Sequence, residues 1–198
     1  MPDVFYGFIV HAYPDIKRNQ LYCVGRLESG ESFAAIEEGW KPYIHIFEPD
    51  RSRALSLLSS MKFEEGPAEL KPFSGTEQFR RLLFSRYADR TRAAGLLENA
   101  GIQSPDADTK PADLFLAEKH LRGPVVIRGQ AAPGRRVGLI IRNPQFSAPE
   151  DEVPASGGRG GNPPFRAGLR VMSVDIETDV KSGAIRAVGL AWTDSLAG

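Results

Sequence analysis

The strongest restriction on how this chain folds is a stretch rich in proline and glycine at residues 144–168, which separates two regions of strand-like sequence. It contains a run of three acids, Glu150 to Glu152, and two pairs of glycines on either side of Arg159. This composition favours extended, solvated backbone over packed structure. We therefore predict an N-terminal domain at residues 1–143, a linker at 144–168 and a further unit at 169–198.

The first 143 residues alternate between strand and helix patterns, which predicts a mixed α+β domain. Strands are predicted at residues 4–10, 21–27, 33–36, 40–47, 68–73, 79–84, 125–127 and 137–141. The last two are predicted to pair as a hairpin across residues 129–134.

Three helices are predicted in the same domain. The first follows Asp50 as N-cap and ends before Gly66-Pro67, and the second covers residues 88–99 with Gly101 after its end. The third begins near Pro111. The apolar stripe of the first helix is predicted from helical spacing as Ala54, Leu57, Leu58 and Met61.

Residues 169–198 predict a β-hairpin with strands at 169–176 and 184–192. A two-stranded hairpin alone is marginally stable in water. We therefore expect the chain to be an N-terminal fragment of a longer protein.

Two acids at the end of the first hairpin strand form the strongest local signal. Asp175 and Glu177 are two residues apart, so both carboxylates are predicted on one face, while Ile176 packs on the other. Two adjacent carboxylates repel each other unless a cation lies between them, and Mg²⁺ prefers such ligands. The alternative is a solvated strand end with no metal.

The segment from Val174 to Thr178, with the strand after it, resembles the first exonuclease motif of the family B DNA polymerases, in which a strand carrying Asp-Ile-Glu-Thr leads into a hairpin. The sequence from Trp40 to Ile46 (WKPYIHI) resembles the aromatic-Pro-Tyr strand of the polymerase N-terminal domain. Within the family, the chain is most similar to the bacterial DNA polymerase II branch.

This resemblance implies a mixed-sheet N-terminal domain followed by the first β-hairpin of an RNase H-like 3′–5′ exonuclease domain. It assigns Asp175 and Glu177 as ligands of Mg²⁺ or Mn²⁺ in proofreading, and places Thr178 beside the 3′-terminal nucleotide of the primer. The remaining exonuclease carboxylates of the family belong to later motifs that this chain lacks. The chain by itself is therefore expected to bind metal weakly and to cut DNA poorly or not at all.

For the intact protein, the resemblance implies template-directed DNA synthesis in replication and repair. Its partners would be primer-template DNA and a single-stranded 3′ end, with a possible sliding clamp bound elsewhere on the full-length protein. Archaeal family members read template bases in a pocket lined by Tyr and Pro, and Pro42 and Tyr43 lie in a comparable strand. Core packing of an aromatic strand is the alternative for these two residues.

Two groups of arginines are candidate DNA contacts. Arg80 and Arg81 belong to a basic cluster with Arg86, Arg90 and Arg92 that is interleaved with aromatic residues. Arg128 and Arg136 lie in residues 121–170, which hold eight arginines and three acids. Solvated protein surface is the alternative for both groups.

Composition excludes several other classes of protein. One cysteine, Cys23, excludes a disulfide framework and a cysteine-based zinc finger, and the three histidines lack ligand spacing. The chain lacks a P-loop, a signal peptide and an apolar run long enough to span a membrane, so a cytoplasmic protein is expected. Two other functions remain open: a nucleic-acid-binding module without enzymatic activity, or another RNase H-like nuclease.

Overall fold

In the computed structural model of the chain, the described residues are 2–68, 78–121, 123–148, 170–178 and 182–194. Within them, residues 2–148 form two β-sheets and three α-helices, which confirms the mixed α+β prediction. The elements in chain order are β1 (Asp3–Asp15), β2 (Gln20–Leu27), β3 (Ser32–Glu37), β4 (Tyr43–Phe47), a 3₁₀ turn (Glu48–Asp50), α1 (Arg51–Leu57), β5 (Phe63–Pro67), β6 (Phe79–Phe84), α2 (Tyr87–Asn99), α3 (Pro111–Glu118), β7 (Pro124–Gly129), β8 (Ala131–Pro133), β9 (Leu139–Arg142), β10 (Gln145–Ser147), β11 (Arg170–Thr178) and β12 (Ile185–Asp194).

The larger sheet has seven strands in the order β10-β7-β1-β2-β3-β9-β8. Only Gln130 separates β7 from β8, although these strands are five positions apart in the sheet. A flat sheet would hold them about 24 Å apart, whereas one intervening residue reaches about 7 Å. The sheet must therefore curl until its two ends approach each other, as in a small β-barrel.

The inner face of the curled sheet holds the larger apolar core. Alternate residues of its strands point inward, among them Ile9, Leu21, Cys23, Phe33 and Ile127, and all of these are buried. Helix α3 adds buried side chains to the same core. Strands β1 and β2 approach so closely at Gly25 that a Cβ there would overlap the carbonyl oxygen of Phe8.

The smaller sheet has three antiparallel strands in the order β4-β6-β5. Ile44 and Ile46 of β4 pack with Leu82 and Phe84 of β6, and helices α1 and α2 complete this second core. The alternation predicted for residues 43–47 is confirmed, since Tyr43 and His45 contact each other on the face opposite Ile44 and Ile46. The strand predicted at residues 79–84 and the helix that Gly101 follows are also confirmed.

The β1–β2 turn connects to the helix of the smaller sheet through Asn19. Its side-chain Oδ1 accepts a hydrogen bond from the backbone N–H of Tyr87 at 3.0 Å, and its Nδ2 donates to the carbonyl oxygen of Ser85 at 2.9 Å. Asn19 itself has a φ of 54°, a conformation that Asn tolerates better than most residues. This side chain therefore caps α2 from a distant part of the sequence.

The hairpin predicted between residues 125–127 and 137–141 is wrong. Strand β7 pairs with β1 and β10, whereas β9 pairs in parallel with β3 and forms its hairpin with β8. Apolar runs identified both strands, but the bend at Gln130 sends the chain to the opposite end of the sheet.

The strand predicted at residues 68–73 falls almost entirely outside the described residues, and strand β5 precedes it. The observed strand β5 ends at Pro67, so Gly66-Pro67 ends a strand rather than a helical region. Proline is tolerated there because β5 lies at the edge of the three-stranded sheet. Ala68 lies outside any strand, and residues 69–73 lie outside the described residues.

Helix α1 begins where it was predicted, with two corrections. Asp50 makes no capping hydrogen bond through its side chain and instead ends the preceding 3₁₀ turn. Ala54 and Leu58 are buried as expected, but Leu57 is exposed because the helix ends there.

The predicted linker range begins inside the larger sheet. Gln145–Ser147 pairs with β7 as strand β10, and Ala148 is buried. Residues 149–169 lie outside the described residues, so the division into domains at 144–168 stays a prediction. None of the helices in the described ranges is long and apolar enough to cross a membrane.

Candidate functional site

The predicted pair of acids lies on the hairpin of β11 and β12, which pair in antiparallel register. Asp175 is opposite Gly189 and Glu177 is opposite Ala187. Residues directly opposite each other in an antiparallel pair share a face. Asp175 and Glu177 therefore share one face of the hairpin, with the two smallest residue types across from them.

This face of the hairpin leaves space over both carboxylates. Gly189 has no side chain, and a Cβ built there would make only ordinary contact with the Cβ of Asp175, at 3.7 Å. Both acids are exposed, and among the described residues neither forms an ion pair. Two carboxylates without a cationic side chain between them suit a hard divalent cation, which takes oxygen ligands.

The opposite face of the hairpin is apolar and exposed. It carries Met172, Val174, Ile176, Val188 and Leu190, whose exposed fractions lie between 48% and 65%. Ile176 lies on this face, opposite the acids, as predicted, and its side chain is exposed. Thr178 ends β11 opposite Ile185, after a register shift that follows Glu177.

The described part of the chain holds no group of three or more His, Cys, Asp or Glu side chains that could bind a metal. Asp175 and Glu177 therefore form a two-ligand site at most within that part. Mg²⁺ bound by one or two protein carboxylates fills its remaining positions with water and substrate oxygens.

The arginines predicted to bind DNA do not form one surface. Arg80 and Arg81 are neighbours on β6 and so point to opposite faces of the smaller sheet. Arg80 is paired with Glu48 at 2.7 Å. Arg128 lies on β7 of the larger sheet, and Arg136 is exposed in the loop between β8 and β9.

Arg90, from the predicted basic cluster, is buried and belongs to the protein interior. Its guanidinium donates to the carbonyl oxygens of Tyr43, Asp106 and Ala107 at 3.3, 2.5 and 2.9 Å. Burial lowers the pKa of Arg90, and the nearby charge of Asp106 opposes that shift. This residue is therefore excluded as a DNA contact.

A buried histidine and aspartate lie beside Arg90. His45 Nδ1 is 2.8 Å from Asp106 Oδ2, and the backbone N–H of His45 donates to Asp106 Oδ1 at 2.9 Å. Arg81 Nε donates to His45 Nε2 at 3.5 Å, so Nε2 accepts and the proton is on Nδ1. Sequence reasoning missed this network because its partners are 61 residues apart.

A cavity of about 470 Å³ opens beside β4. Its lining includes the aromatic rings of Trp40, Tyr43 and Phe115, and the guanidinium of Arg81 lies 4.4 Å from the centre of the Tyr43 ring. Trp40 Nε1 donates to Glu118 Oε2 at 3.1 Å, which fixes the indole at the cavity wall. Tyr43 therefore borders a cavity in addition to packing in the core.

No protein-family model and no curated protein matches the chain. Among solved structures, the chain is similar to the family B DNA polymerase from the hyperthermophilic archaeon Pyrobaculum calidifontis, with 17% sequence identity and a TM-score of 0.55. The similarity covers 87% of this chain and 22% of the polymerase chain. At this identity it establishes a family B polymerase-like fold and no activity.

Proposed function

We propose that the chain is the N-terminal part of a family B DNA polymerase of the bacterial DNA polymerase II type. In this proposal, the hairpin β11–β12 begins an RNase H-like 3′–5′ exonuclease domain. Two observations support the assignment. The first is the family B polymerase-like fold. The second is the Asp-Ile-Glu-Thr sequence on a hairpin strand.

The observation that carries the proposal is the placement of Asp175 and Glu177 on one hairpin face, opposite Gly189 and Ala187. Their carboxylates would hold Mg²⁺ or Mn²⁺, and Thr178 would lie beside the 3′-terminal nucleotide. A metal bound there would supply Lewis-acid activation of water for hydrolysis of a phosphodiester bond. The small residues across the hairpin would leave room for the substrate.

Two carboxylates alone make a weak site, because the full exonuclease would use further acids from later motifs. The purified chain is therefore expected to bind Mn²⁺ weakly and to leave DNA 3′ ends intact. Efficient metal-dependent shortening of 3′ ends by the chain alone would contradict this part of the proposal.

Paramagnetic broadening by Mn²⁺ in NMR spectra tests the site directly, because it detects weak binding. We expect signals of residues 175–177 and 187–189 to broaden first. The double variant Asp175→Asn with Glu177→Gln should remove that broadening. Asp108→Asn, which changes an exposed acid in the loop between α2 and α3, is the matched control and should leave the broadening unchanged. Equal broadening in the double variant would exclude the metal site.

In the full-length protein, Asp175→Ala with Glu177→Ala should abolish excision of a mispaired 3′ nucleotide and leave DNA binding unchanged. Surviving excision would remove the proofreading role. If the chain binds nucleic acid but Mn²⁺ causes no broadening at the hairpin, the alternative of a binding module without enzymatic activity gains support.

The cavity beside Tyr43 supports a second proposed role, as a pocket that receives a template base. Its aromatic walls and the nearby Arg81 suit a planar, electron-rich ring. In a Trp192→Phe background, the fluorescence of Trp40 should change when a short single-stranded DNA is added. No change under conditions in which the DNA binds would exclude the cavity as the base pocket.

A further inference from the structure

The exposed apolar side chains of the larger sheet are concentrated on one strand, β1. Val4, Tyr6, Val10 and Tyr13 have exposed fractions of 47%, 46%, 59% and 39%. Outside the hairpin β11–β12, the other large exposed hydrophobic residues of the described ranges are Ile16, just after β1, and Leu57. Surface apolar residues that cluster in this way mark interaction sites.

Three rings on this outer face are stacked on one another. The rings of Tyr13 and Tyr22 lie 5.2 Å apart with an angle of 6° between their planes, because these residues are directly opposite in the β1–β2 register. The ring of His11 lies 5.7 Å from that of Tyr13, at 22°. We call His11, Tyr13 and Tyr22 the ring stack.

A β-bulge places the ring stack on the outside of the sheet. The inward positions of β1 are odd-numbered up to Ile9, which is buried. Regular alternation would then turn His11 and Tyr13 inward. The register shift between Ile9 and His11 reverses the alternation, so that Ala12 packs on the core and both rings face outward.

The charges on the outer face of the sheet favour an anion. Outward positions on β2, β7 and β9 carry Arg26, Arg128 and Arg142, of which Arg142 is paired with Glu38 at 2.7 Å. The acid at an outward strand position is Asp15 at the end of β1, and its carboxylate accepts hydrogen bonds from Arg18. The described outward strand positions thus combine stacked aromatic rings with arginines.

We propose that this outer face binds single-stranded nucleic acid, with bases continuing the ring stack from the exposed side of His11 and phosphates near the outward arginines. Stacked aromatic rings with polar edges and arginines suit bases and phosphates together. An apolar protein partner would gain nothing from the parallel ring planes or the cationic charge. This binding is separate from the metal chemistry proposed for Asp175 and Glu177.

Fluorescence anisotropy with the 198-residue chain and labelled DNA about 15 nucleotides long, at low salt, tests the proposal. Tyr13→Ala and Tyr22→Ala should each weaken binding about tenfold. Tyr13→Phe keeps the ring and should retain the affinity, and Leu57→Ala, which changes an exposed apolar residue elsewhere, should leave it unchanged. A duplex of the same sequence should bind less tightly, because its bases are stacked internally.

Circular dichroism and urea unfolding establish that each variant is folded before its affinity is compared. Unchanged affinity in folded Tyr13→Ala and Tyr22→Ala would overturn the proposal and move the binding elsewhere, for example to the cavity beside Tyr43. Absence of single-strand binding by the wild-type chain would also overturn it, as would a dimer in light scattering that Tyr13→Ala converts to monomer. The anisotropy is measured in EDTA, whereas the exonuclease proposal is tested by Mn²⁺ broadening at the hairpin, so failure of the exonuclease proposal and failure of this one give different results.

Discussion

Replacing Asp106 by alanine should destabilise the protein strongly, because its buried carboxylate serves several donors. It accepts hydrogen bonds from the backbone N–H of His45 at 2.9 Å, from Nδ1 of the same residue at 2.8 Å and from Ser104 Oγ at 3.3 Å. Asp106 and His45 are both buried, so water cannot take over as acceptor without local opening.

The size of the effect follows from the donors left unpaired. A buried donor without an acceptor costs about 1–3 kcal/mol, and Asp106→Ala leaves two such donors on His45. The charge of Asp106 also offsets part of the cost of burying Arg90. We therefore expect the free energy of unfolding to fall by about 3–4 kcal/mol, a large share of the roughly 5–15 kcal/mol typical of a domain.

Urea unfolding followed by circular dichroism measures this loss. Asp106→Asn keeps one acceptor oxygen and should lose less than Asp106→Ala. Glu98→Ala changes an exposed acid on α2 and should stay within about 0.5 kcal/mol of wild type. A loss below about 1 kcal/mol for Asp106→Ala would refute the view that its carboxylate organises the smaller sheet.

Other substitutions isolate single features of the fold, and urea unfolding measures each of them. Asn19→Gly keeps the positive φ but removes the hydrogen bonds to Tyr87 and Ser85, so it should cost about 1–2 kcal/mol; no loss would contradict the capping role. Gly25→Ala should destabilise by about 3 kcal/mol or more because the new Cβ would overlap the backbone of β1. Gly95→Ala, with open space at its position in α2, should instead stabilise by about 0.5–1 kcal/mol. A larger loss of stability for Gly95→Ala than for Gly25→Ala would contradict the packing described at the two glycines. Burial raises the pKa of Cys23 from 9.0 to about 12, so native protein at pH 8 should react slowly with a thiol reagent. As the pH rises, the Cys23 thiol loses its proton in the unfolded chain before it does so in the folded protein. The contribution of this thiol to the free energy of unfolding should therefore decline as the pH rises from 9.0 to about 12. A rapid reaction with the thiol reagent at pH 8 would show that Cys23 is accessible.

The sequence predicts strands well where their signals are local. The β1–β2–β3 meander follows short turns, and Gly30 takes the positive φ that its turn requires. Of the two hairpins predicted, the pairing of β11 with β12 is confirmed, whereas the pairing of residues 125–127 with 137–141 is wrong. The parallel contact of β3 with β9 joins residues more than 100 positions apart, and no local pattern encodes it.

For the candidate sites too, local sequence patterns predict some features, and the rest depend on strand pairing. Strand periodicity is enough to place Asp175 and Glu177 on one face, but it does not specify what lies opposite. That requires the register of β12, which puts Gly189 and Ala187 there. The ring stack was missed for a related reason, since a bulge reverses the alternation from which faces are predicted.

The hairpin keeps its acids and its apolar side chains on separate faces. A solvated strand end has the same alternation, so the Mn²⁺ experiment is what distinguishes a metal site from solvated acids. Here Val174, Ile176 and Leu190 occupy one face, while the other carries the acids. A shift of one residue in the pairing of β11 with β12 would put acidic and apolar side chains on the same face. Burial of the apolar face would therefore also determine the face on which the acids lie. Substituting Asp175 or Glu177 therefore removes charge without changing the apolar row, which is why the Mn²⁺ experiment can separate metal binding from folding.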